Sequence, residues 1–407
     1  MARNRLREKK KEIRSEAFVF CHGMLGFGED ELINKLMPYW GGLSGSIPKR
    51  LRKQGYEAVA PSFSSIGGAW DRACEVYAAL TGTRVDYGIA HSKKYGHARY
   101  GKTYEKAALP NWGKIADDGE IQRIHLFGHS FGGATVRMLS HLMTYGSEEE
   151  RAVTDPDDLS PLFAGGKGDW LKTVTAIAGP FEGTTVIDAI GILVPTLKVI
   201  SFVGFANILG NTPFRKIYDM QLTQWKITSD RDKRAHLMYI GRLDRVRKFW
   251  KSHDDCFWDL CLAGAKDLNE FLESNPNAYQ FSISTDASKK KRNGDYRMKA
   301  SALFPFWITG GMMGSYDYDR TLGQPLSDEW KASDGCSNTY SALFPRDEEH
   351  AFYKDVKDDL KKGVWTAMPV WQGDHMDVVG LSPWALVDPI KYRRYYKNYI
   401  KMLMSLD

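Results

Sequence analysis

The segment that most constrains the fold is residues 121–135, IQRIHLFGHSFGGAT, in which a serine stands between glycines. The apolar residues 124–127 predict a short buried strand, and the apolar spacing of 134–145 predicts a helix. Ser130 therefore lies in a sharp strand-to-helix turn, where glycines two positions away leave room and tolerate the backbone angles. This arrangement predicts an α/β fold with a nucleophilic serine at a helix N-terminus, where free N–H groups face a developing negative charge.

The composition of the chain is that of an ordinary globular protein, with 407 residues, 43% hydrophobic and 26% charged. A formal net charge of +6 is small for this length, and no basic patch is interleaved with aromatic residues, so nothing indicates nucleic-acid binding. The five cysteines include no C-x-x-C pair, which disfavours a disulfide framework and a zinc finger. We predict one domain over residues 17–407, with an insertion at about 70–110.

Basic residues dominate the arm formed by residues 1–16, and no apolar stretch precedes the strand predicted from Ala17. This pattern differs from that of a secretory signal peptide. We expect a solvated arm, and the alternative is attraction to an anionic membrane surface. The predicted location is cytoplasmic, with peripheral contact to a membrane.

A second glycine-containing turn, at His22 and Gly23, follows that first strand. In α/β-hydrolases an H-G turn at this place supplies one oxyanion donor, and the residue after the nucleophile supplies the other. The pattern therefore predicts that the backbone N–H groups of Met24 and Phe131 stabilise an oxyanion.

A serine nucleophile needs a base, and the base needs an orienting acid, which follow it in the order acid and then histidine in this fold. Of the ten histidines we select His375, because it follows an extended apolar segment at 364–371 late in the chain. Asp334 lies in a predicted turn upstream, where the fold expects the acid. The residues alone leave Asp374 and Asp377 open as alternatives.

Residues 187–210 form an almost continuous apolar run that is interrupted by Asp188, Pro195 and Lys198. Three interpretations fit this pattern, namely an amphipathic cover over the active site, a buried core helix and a membrane-spanning helix. We favour the cover and predict a lid at about 185–225. Residues 236–241 predict a further strand.

Several segments match one protein family in order along the chain. They are HGMLGFG at 22–28, YWGG at 39–42, WDRACEVY at 70–77, VDYGIAH at 85–91, GHARYG at 96–101, GHSFGG at 128–133 and LSPLF at 159–163. Together they resemble the large lipases of thermophilic bacilli and staphylococci. The resemblance implies an α/β-hydrolase fold, with a mostly parallel central sheet flanked by helices, a lid and a small zinc-binding insertion. It also implies Ser130 as nucleophile, Asp334 as acid and His375 as base.

The resemblance implies two metal sites as well. The ligands that it implies for a structural zinc site are Asp71, His91, His97 and Asp259. Two imidazoles and two carboxylates suit tetrahedral zinc with no open position. A calcium site is implied at Asp377 and Pro383, although Ser382 stands where the family has a carboxylate, and this weakens a site for a hard cation.

The function that follows is that of a triacylglycerol lipase or carboxylesterase, a serine hydrolase acting on lipid esters through an acyl-enzyme. Its expected partners are a lipid ester and, transiently, a lipid–water interface, with no nucleic acid and no transmembrane segment. The alternatives are a phospholipase or acyltransferase on the same triad, and a non-catalytic lipid-binding protein on a hydrolase scaffold. Met24 and Phe131 differ from the residues commonest in the family, but both would act through the backbone.

Overall fold

The computed structural model describes residues 12–190, 216–227, 239–320, 322–382 and 388–407. The strands in this part of the chain are β1 (Glu16–Cys21), β2 (Glu57–Val59), β3 (Arg84–Asp86), β4 (Tyr100–Thr103), β5 (Arg123–His129), β6 (Leu171–Ile177), β7 (Tyr279–Ile283), β8 (Thr285–Asp286), β9 (Ser288–Lys290), β10 (Tyr296–Met298), β11 (Tyr318–Asp319), β12 (Gln324–Pro325), β13 (His350–Phe352), β14 (Trp365–Ala367) and β15 (Trp371–Gln372). Seven of them form the central sheet in the order β13-β14-β7-β6-β5-β1-β2. Every pairing in this sheet is parallel.

Helices connect and cover these strands. They are α1 (Leu32–Leu36), α2 (Ile47–Lys53), α3 (Ala69–Thr81), α4 (Ile89–Tyr95), α5 (Gly132–Tyr145), α6 (Glu148–Val153), α7 (Pro161–Ala164), α8 (Thr185–Ile190), α9 (Tyr239–Ser252), α10 (Cys256–Leu260), α11 (Leu262–Phe271), α12 (Phe304–Met313), α13 (Tyr353–Val356) and α14 (Pro389–Met404). The predicted α/β class with a parallel sheet flanked by helices is confirmed.

The central strands β5 and β6 are buried almost along their whole length because both faces of the sheet are covered. All seven residues of β6 are buried. The hydroxyl of Thr175 meets Tyr399 of α14 at 3.0 Å. The neighbouring Ala176 points the other way, toward Gly133 of α5, where an added Cβ would lie 3.4 Å from the alanine methyl. Helices α14 and α5 therefore cover opposite faces, and this sandwich fixes the carboxyl ends of β5 and β6.

Two predicted elements differ from the described structure. The prediction of a strand over 236–241 is wrong for residues 239–241, because these residues form the start of α9. Residues 236–238 lie outside the described residues. The apolar segment 364–371 is divided, since β14 ends at Ala367 and β15 begins at Trp371 in a separate two-stranded sheet.

Most of the predicted lid, residues 191–215, lies outside the described residues, as do residues 1–11 of the predicted arm. The described ends of the predicted lid are α8 and the start of the segment 216–227. No helix in the described part of the chain is both long and apolar enough to cross a bilayer. The proposed division of the domain into an insertion and a lid stays a prediction.

Candidate active site and metal centre

Ser130 stands in the turn between β5 and α5, as the sequence predicts. Its φ is +57°, a left-handed backbone conformation that costs a non-glycine residue about 1–3 kcal/mol and is found mostly at functional sites. The turn is tight, because a Cβ added at Gly128 would lie 2.1 Å from the carbonyl oxygen of Gly132. A Cβ added at Gly132 would lie 2.7 Å from the carbonyl oxygen of Cys21, so close backbone contact requires both glycines. The serine side chain is presented at the carboxyl edge of the sheet.

His375 and Asp334 meet as a buried pair. The Nδ1 atom of His375 lies 2.8 Å from Oδ2 of Asp334, although the residues are 41 positions apart. The carboxylate is fixed by donors around it, since Oδ1 accepts from the N–H groups of Cys336 (2.9 Å) and Ser337 (2.7 Å), and Oδ2 also accepts from Thr285 Oγ1 (2.5 Å). The carboxylate therefore holds the proton of the imidazole on Nδ1, and Nε2 is left as the basic nitrogen.

The two alternative acids have other roles. Asp374 Oδ1 accepts from the N–H groups of Met376 and Asp377, both at 3.0 Å, and its Oδ2 accepts from Leu303 N–H at 2.9 Å. Asp377 Oδ2 accepts from the indole N–H of Trp371 at 2.9 Å. Burial raises the pKa of both carboxyl groups. Both carboxylates therefore shape the histidine loop, and neither bonds to the imidazole.

The loop of His375 is attached directly to the serine turn. His129, the residue before the serine, has its Nε2 atom 2.9 Å from the carbonyl oxygen of His375, and the two imidazole rings are 4.8 Å apart. Within the described residues no hydrogen bond joins the His375 ring to Ser130 Oγ. Such a contact is often long in an enzyme without substrate. The structure thus brings the loops of the predicted nucleophile and base together.

The predicted oxyanion donors lie on the two turns beside Ser130. Among the described residues the N–H groups of Met24 and Phe131 donate to no protein acceptor, whereas the neighbouring Leu25 N–H is bonded to a backbone carbonyl at 2.9 Å. Gly23 packs against the nucleophile, since a Cβ added there would lie 2.7 Å from the Cβ of Ser130. Two free N–H groups next to a serine hydroxyl are what an oxyanion site requires.

A second cluster lies between α3, α4 and the start of α10. Its donor atoms lie within 4.8 Å of one another and belong to Asp71, His91, His97 and Asp254. One oxygen or nitrogen of each residue is buried without a hydrogen-bond partner. Such orphaned polar atoms are costly unless something binds them, and two imidazoles with two carboxylates form a donor set for a metal ion. The residues present therefore fit a metal.

The surroundings of the cluster orient its side chains. His97 Nδ1 lies 2.9 Å from the carbonyl of Ala98, which turns Nε2 toward the cluster. Asp71 Oδ2 accepts from Gln224 Nε2 at 2.7 Å. The ring of His91 is stacked on Trp70, with centroids 4.9 Å apart. These contacts are the supporting shell that metal ligands usually have.

The fourth ligand implied by the resemblance, Asp259, is contradicted, because Asp254 occupies that place in the cluster. Asp259 lies in α10, and its Oδ2 accepts from the N–H of Ala69 at 2.7 Å, at the start of α3. The sequence DDCFWDL contains three aspartates, and Asp255 between them caps α10 through the N–H groups of residues 257 and 258. Because this sequence contains three aspartates close together, the sequence alone did not determine which of them joins the cluster.

The predicted calcium site stays a prediction. Asp377 is described, but Pro383 lies outside the described residues.

The all-parallel central sheet, the serine on a strained strand-to-helix turn and the histidine–aspartate pair on later loops define an α/β-hydrolase architecture. The chain belongs to the family described as "Lipase-like, C-terminal domain", which matches residues 14–405.

Curated relatives agree with this assignment. The chain is 34% identical over 384 residues to Lipase 1 of Staphylococcus aureus, covering 93% of this chain and 52% of that protein. It is 33% identical over 382 residues to a lipase of Staphylococcus epidermidis, with the same coverage of both chains. The chain therefore spans about half the length of the curated relatives it matches.

Solved structures are similar over nearly the whole chain. Staphylococcus hyicus lipase matches with a TM-score of 0.82 and 31% identity, covering 97% of both chains. Lipase 1 of Pelosinus fermentans matches with a TM-score of 0.78 and 33% identity, covering 97% of this chain and 99% of that one. EstA of Clostridium botulinum matches with a TM-score of 0.77 and 32% identity, covering 97% and 88%. The predicted family is confirmed.

Proposed function

We propose that this chain hydrolyses carboxylic esters of lipids with Ser130, His375 and Asp334 as a catalytic triad. The observation that carries the proposal is the buried Asp334–His375 hydrogen bond of 2.8 Å on a loop tied to the residue before the serine. The relatives named lipase support the same class of reaction.

The reaction would proceed in two halves. Ser130 Oγ attacks the ester carbonyl while His375 Nε2 accepts its proton, and the same nitrogen then protonates the departing alcohol. Water then attacks the acyl-enzyme carbonyl while His375 Nε2 accepts one of its protons. The acid leaves as His375 returns a proton to Ser130 Oγ. Asp334 stabilises the imidazolium, and the N–H groups of Met24 and Phe131 bind the negative charge on the carbonyl oxygen in both halves.

Exposed apolar side chains beside the site support a lipid substrate met at a lipid–water interface. Helix α12 carries Phe304, Trp307 and Ile308, which are 69%, 47% and 60% exposed. This helix adjoins the proposed base, because the ring of Phe306 lies 6.3 Å from that of His375. Exposed leucine and methionine side chains also occur in α1 and at its C-terminal end, which follow the oxyanion turn in the sequence. Exposed large apolar side chains grouped on one helix beside the proposed base favour contact with another apolar phase.

We also propose that the metal of the four-residue cluster is zinc with a structural role. Two imidazole nitrogens and two carboxylate oxygens complete a tetrahedral shell, which leaves no position for substrate. This assignment supports a site that stabilises the insertion and takes no part in ester hydrolysis.

Replacement of Ser130 by alanine tests the proposed function. Hydrolysis of p-nitrophenyl butyrate by the variant is expected to fall about 10⁴- to 10⁶-fold in kcat, because the nucleophile is lost. Ser405→Ala serves as the matched control, since that hydroxyl bonds only to the end of α14. Emulsified triglycerides, phospholipids and added alcohol acceptors then separate a lipase from a phospholipase or an acyltransferase. Undiminished hydrolysis by Ser130→Ala would contradict the triad.

A further inference from the structure

Two buried side chains that the proposed reaction does not use connect the oxyanion turn with the histidine loop. Gly23 N–H lies 2.9 Å from the hydroxyl oxygen of Tyr39, and the same oxygen lies 2.7 Å from Nδ1 of His129. The other nitrogen of His129, Nε2, lies 2.9 Å from the carbonyl oxygen of His375. Tyr39 is 4% exposed and His129 is fully buried. The three contacts form one continuous chain of hydrogen bonds behind Ser130.

The direction of each hydrogen bond follows from its ends. A backbone N–H can only donate, so Gly23 donates to Tyr39, and a carbonyl can only accept, so Nε2 of His129 carries its proton toward His375. Burial, together with the charge of His375, holds the pKa of His129 well below its usual value, so the ring is neutral and Nδ1 accepts. The Tyr39 hydroxyl therefore donates to His129 while it accepts from Gly23. All four groups are satisfied by this single arrangement.

We propose that Tyr39 and His129 are positioning residues that hold the oxyanion turn and the loop of the catalytic base in one fixed geometry around Ser130. The inference rests on the proposed function, because Tyr39 and His129 would act by positioning the Met24 N–H as oxyanion donor and the His375 ring as base.

The geometry around Gly23 explains why this turn needs to be held. Its carbonyl belongs to the same peptide group as the Met24 N–H, and it accepts a hydrogen bond of 3.4 Å from the buried Arg72. Its own N–H is bonded to Tyr39. Tyr39 thus holds the peptide group that precedes Gly23, and Arg72 contacts the next peptide group, which carries the proposed oxyanion donor. A displacement of that donor by even one ångström is expected to lower the rate of the chemical step, since such donors act only in precise alignment.

A tyrosine elsewhere in the core provides a matched control. Tyr399 is also buried, and its hydroxyl makes a single contact, with Thr175 Oγ1 at 3.0 Å in the middle of β6. Tyr39→Phe and Tyr399→Phe each remove one buried hydroxyl and keep the ring. Only the first variant breaks the connection between the two catalytic loops. A purely structural role for Tyr39 predicts equal effects of the two changes on activity.

The experiment compares the full chain with Tyr39→Phe, His129→Gln, the double variant and Tyr399→Phe on p-nitrophenyl butyrate. We expect Tyr39→Phe to lower kcat about 10- to 100-fold with little change in KM, and to weaken binding of a trifluoromethyl ketone, which forms an oxyanion on the serine, by a similar factor. His129→Gln is also expected to lower kcat with little change in KM and to weaken binding of the trifluoromethyl ketone. Because both residues act in one chain, the double variant should lose little more than the worse single variant.

The outcomes separate this inference from the proposed function. A wild-type chain without esterase activity would overturn the proposed function itself. An active wild type with an inactive Ser130→Ala variant, together with a Tyr39→Phe variant within twofold of Tyr399→Phe, would overturn only the positioning role. A loss of kcat in the double variant equal to the product of the two single losses would also overturn the positioning role. Thermal unfolding midpoints check that each variant is folded, and His129→Gln carries the same comparison if Tyr39→Phe is too unstable to assay.

Discussion

Replacement of Asp334 by asparagine is predicted to leave the fold in place and to remove nearly all activity. The N–H groups of Cys336 and Ser337 both point at Oδ1 of the carboxylate. These two donors force the carbonyl oxygen of an asparagine into that position. In the opposite orientation the two N–H groups would point at the NH₂ group of the asparagine, which cannot accept from them. The NH₂ group then faces Nδ1 of His375, only 2.8 Å away in the wild type, and donates to it. The proton of the imidazole moves to Nε2, and the nitrogen that should accept the serine proton can no longer do so.

The expected size of the effect is on the order of 10⁴-fold in kcat, or ~5 kcal/mol of transition-state stabilisation, as in a serine protease triad with the same substitution. The assay is hydrolysis of p-nitrophenyl butyrate, with thermal unfolding as the check that the variant is folded.

Asp374→Asn is the matched control for this change. It disturbs a buried carboxylate next to the same histidine. It is expected to cost about 1–3 kcal/mol of stability, because the carboxylate accepts from three backbone N–H groups and an amide NH₂ would face at least one of them. It leaves the tautomer of His375 unchanged, so kcat should fall by less than about tenfold. Retention of more than a tenth of the activity by Asp334→Asn, or an equal loss in Asp374→Asn, would refute the assignment of the acid.

Three further predictions concern the metal, the pH dependence of stability and the interface. Elemental analysis should find about one zinc per chain, with metal lost from Asp254→Asn and retained by Asp259→Asn, and the reverse result would contradict the ligand assignment. Burial raises the pKa of Glu31 from 4.5 to about 7, so the folded chain binds an extra proton between these values. The free energy of unfolding of the wild type should therefore fall relative to Glu31→Gln as pH rises through that range, by up to roughly 3 kcal/mol in urea titrations, and a constant difference would contradict this. Trp307→Ala should lower activity on emulsified triglyceride several-fold and leave p-nitrophenyl butyrate hydrolysis unchanged, whereas equal losses would contradict an interfacial role.

The sequence predicted the serine turn well because its determinants are local. Strand β5, the glycines and α5 lie within a few residues of one another, and each has a distinct pattern. The acid was harder to predict, because the contact between Asp334 and His375 spans 41 positions and three aspartates are equivalent in sequence. The place of Asp254 in the four-residue cluster was missed for the same reason, since the fold alone decides which aspartate faces the two histidines.

Helix α12 was not predicted, although it lies beside the site. Its sequence FPFWITGGMM contains two consecutive glycines, which have low helix propensity, and its apolar residues show no single face. Gly310 leaves room for the Met298 side chain, whose sulfur would lie 2.2 Å from a Cβ at this position. The short apolar run at 236–241 was misassigned because periodicity alone does not distinguish a strand from the start of a helix.

The most direct test of the account is to locate the adduct formed by a fluorophosphonate, which reacts with a serine activated by a neighbouring base. The wild-type chain should be labelled at one equivalent, and peptide mass spectrometry should place the label on Ser130, with labelling slowed strongly in Asp334→Asn. Absence of labelling in the folded wild type, or a label on another residue, would contradict the proposal that Ser130 is the nucleophile.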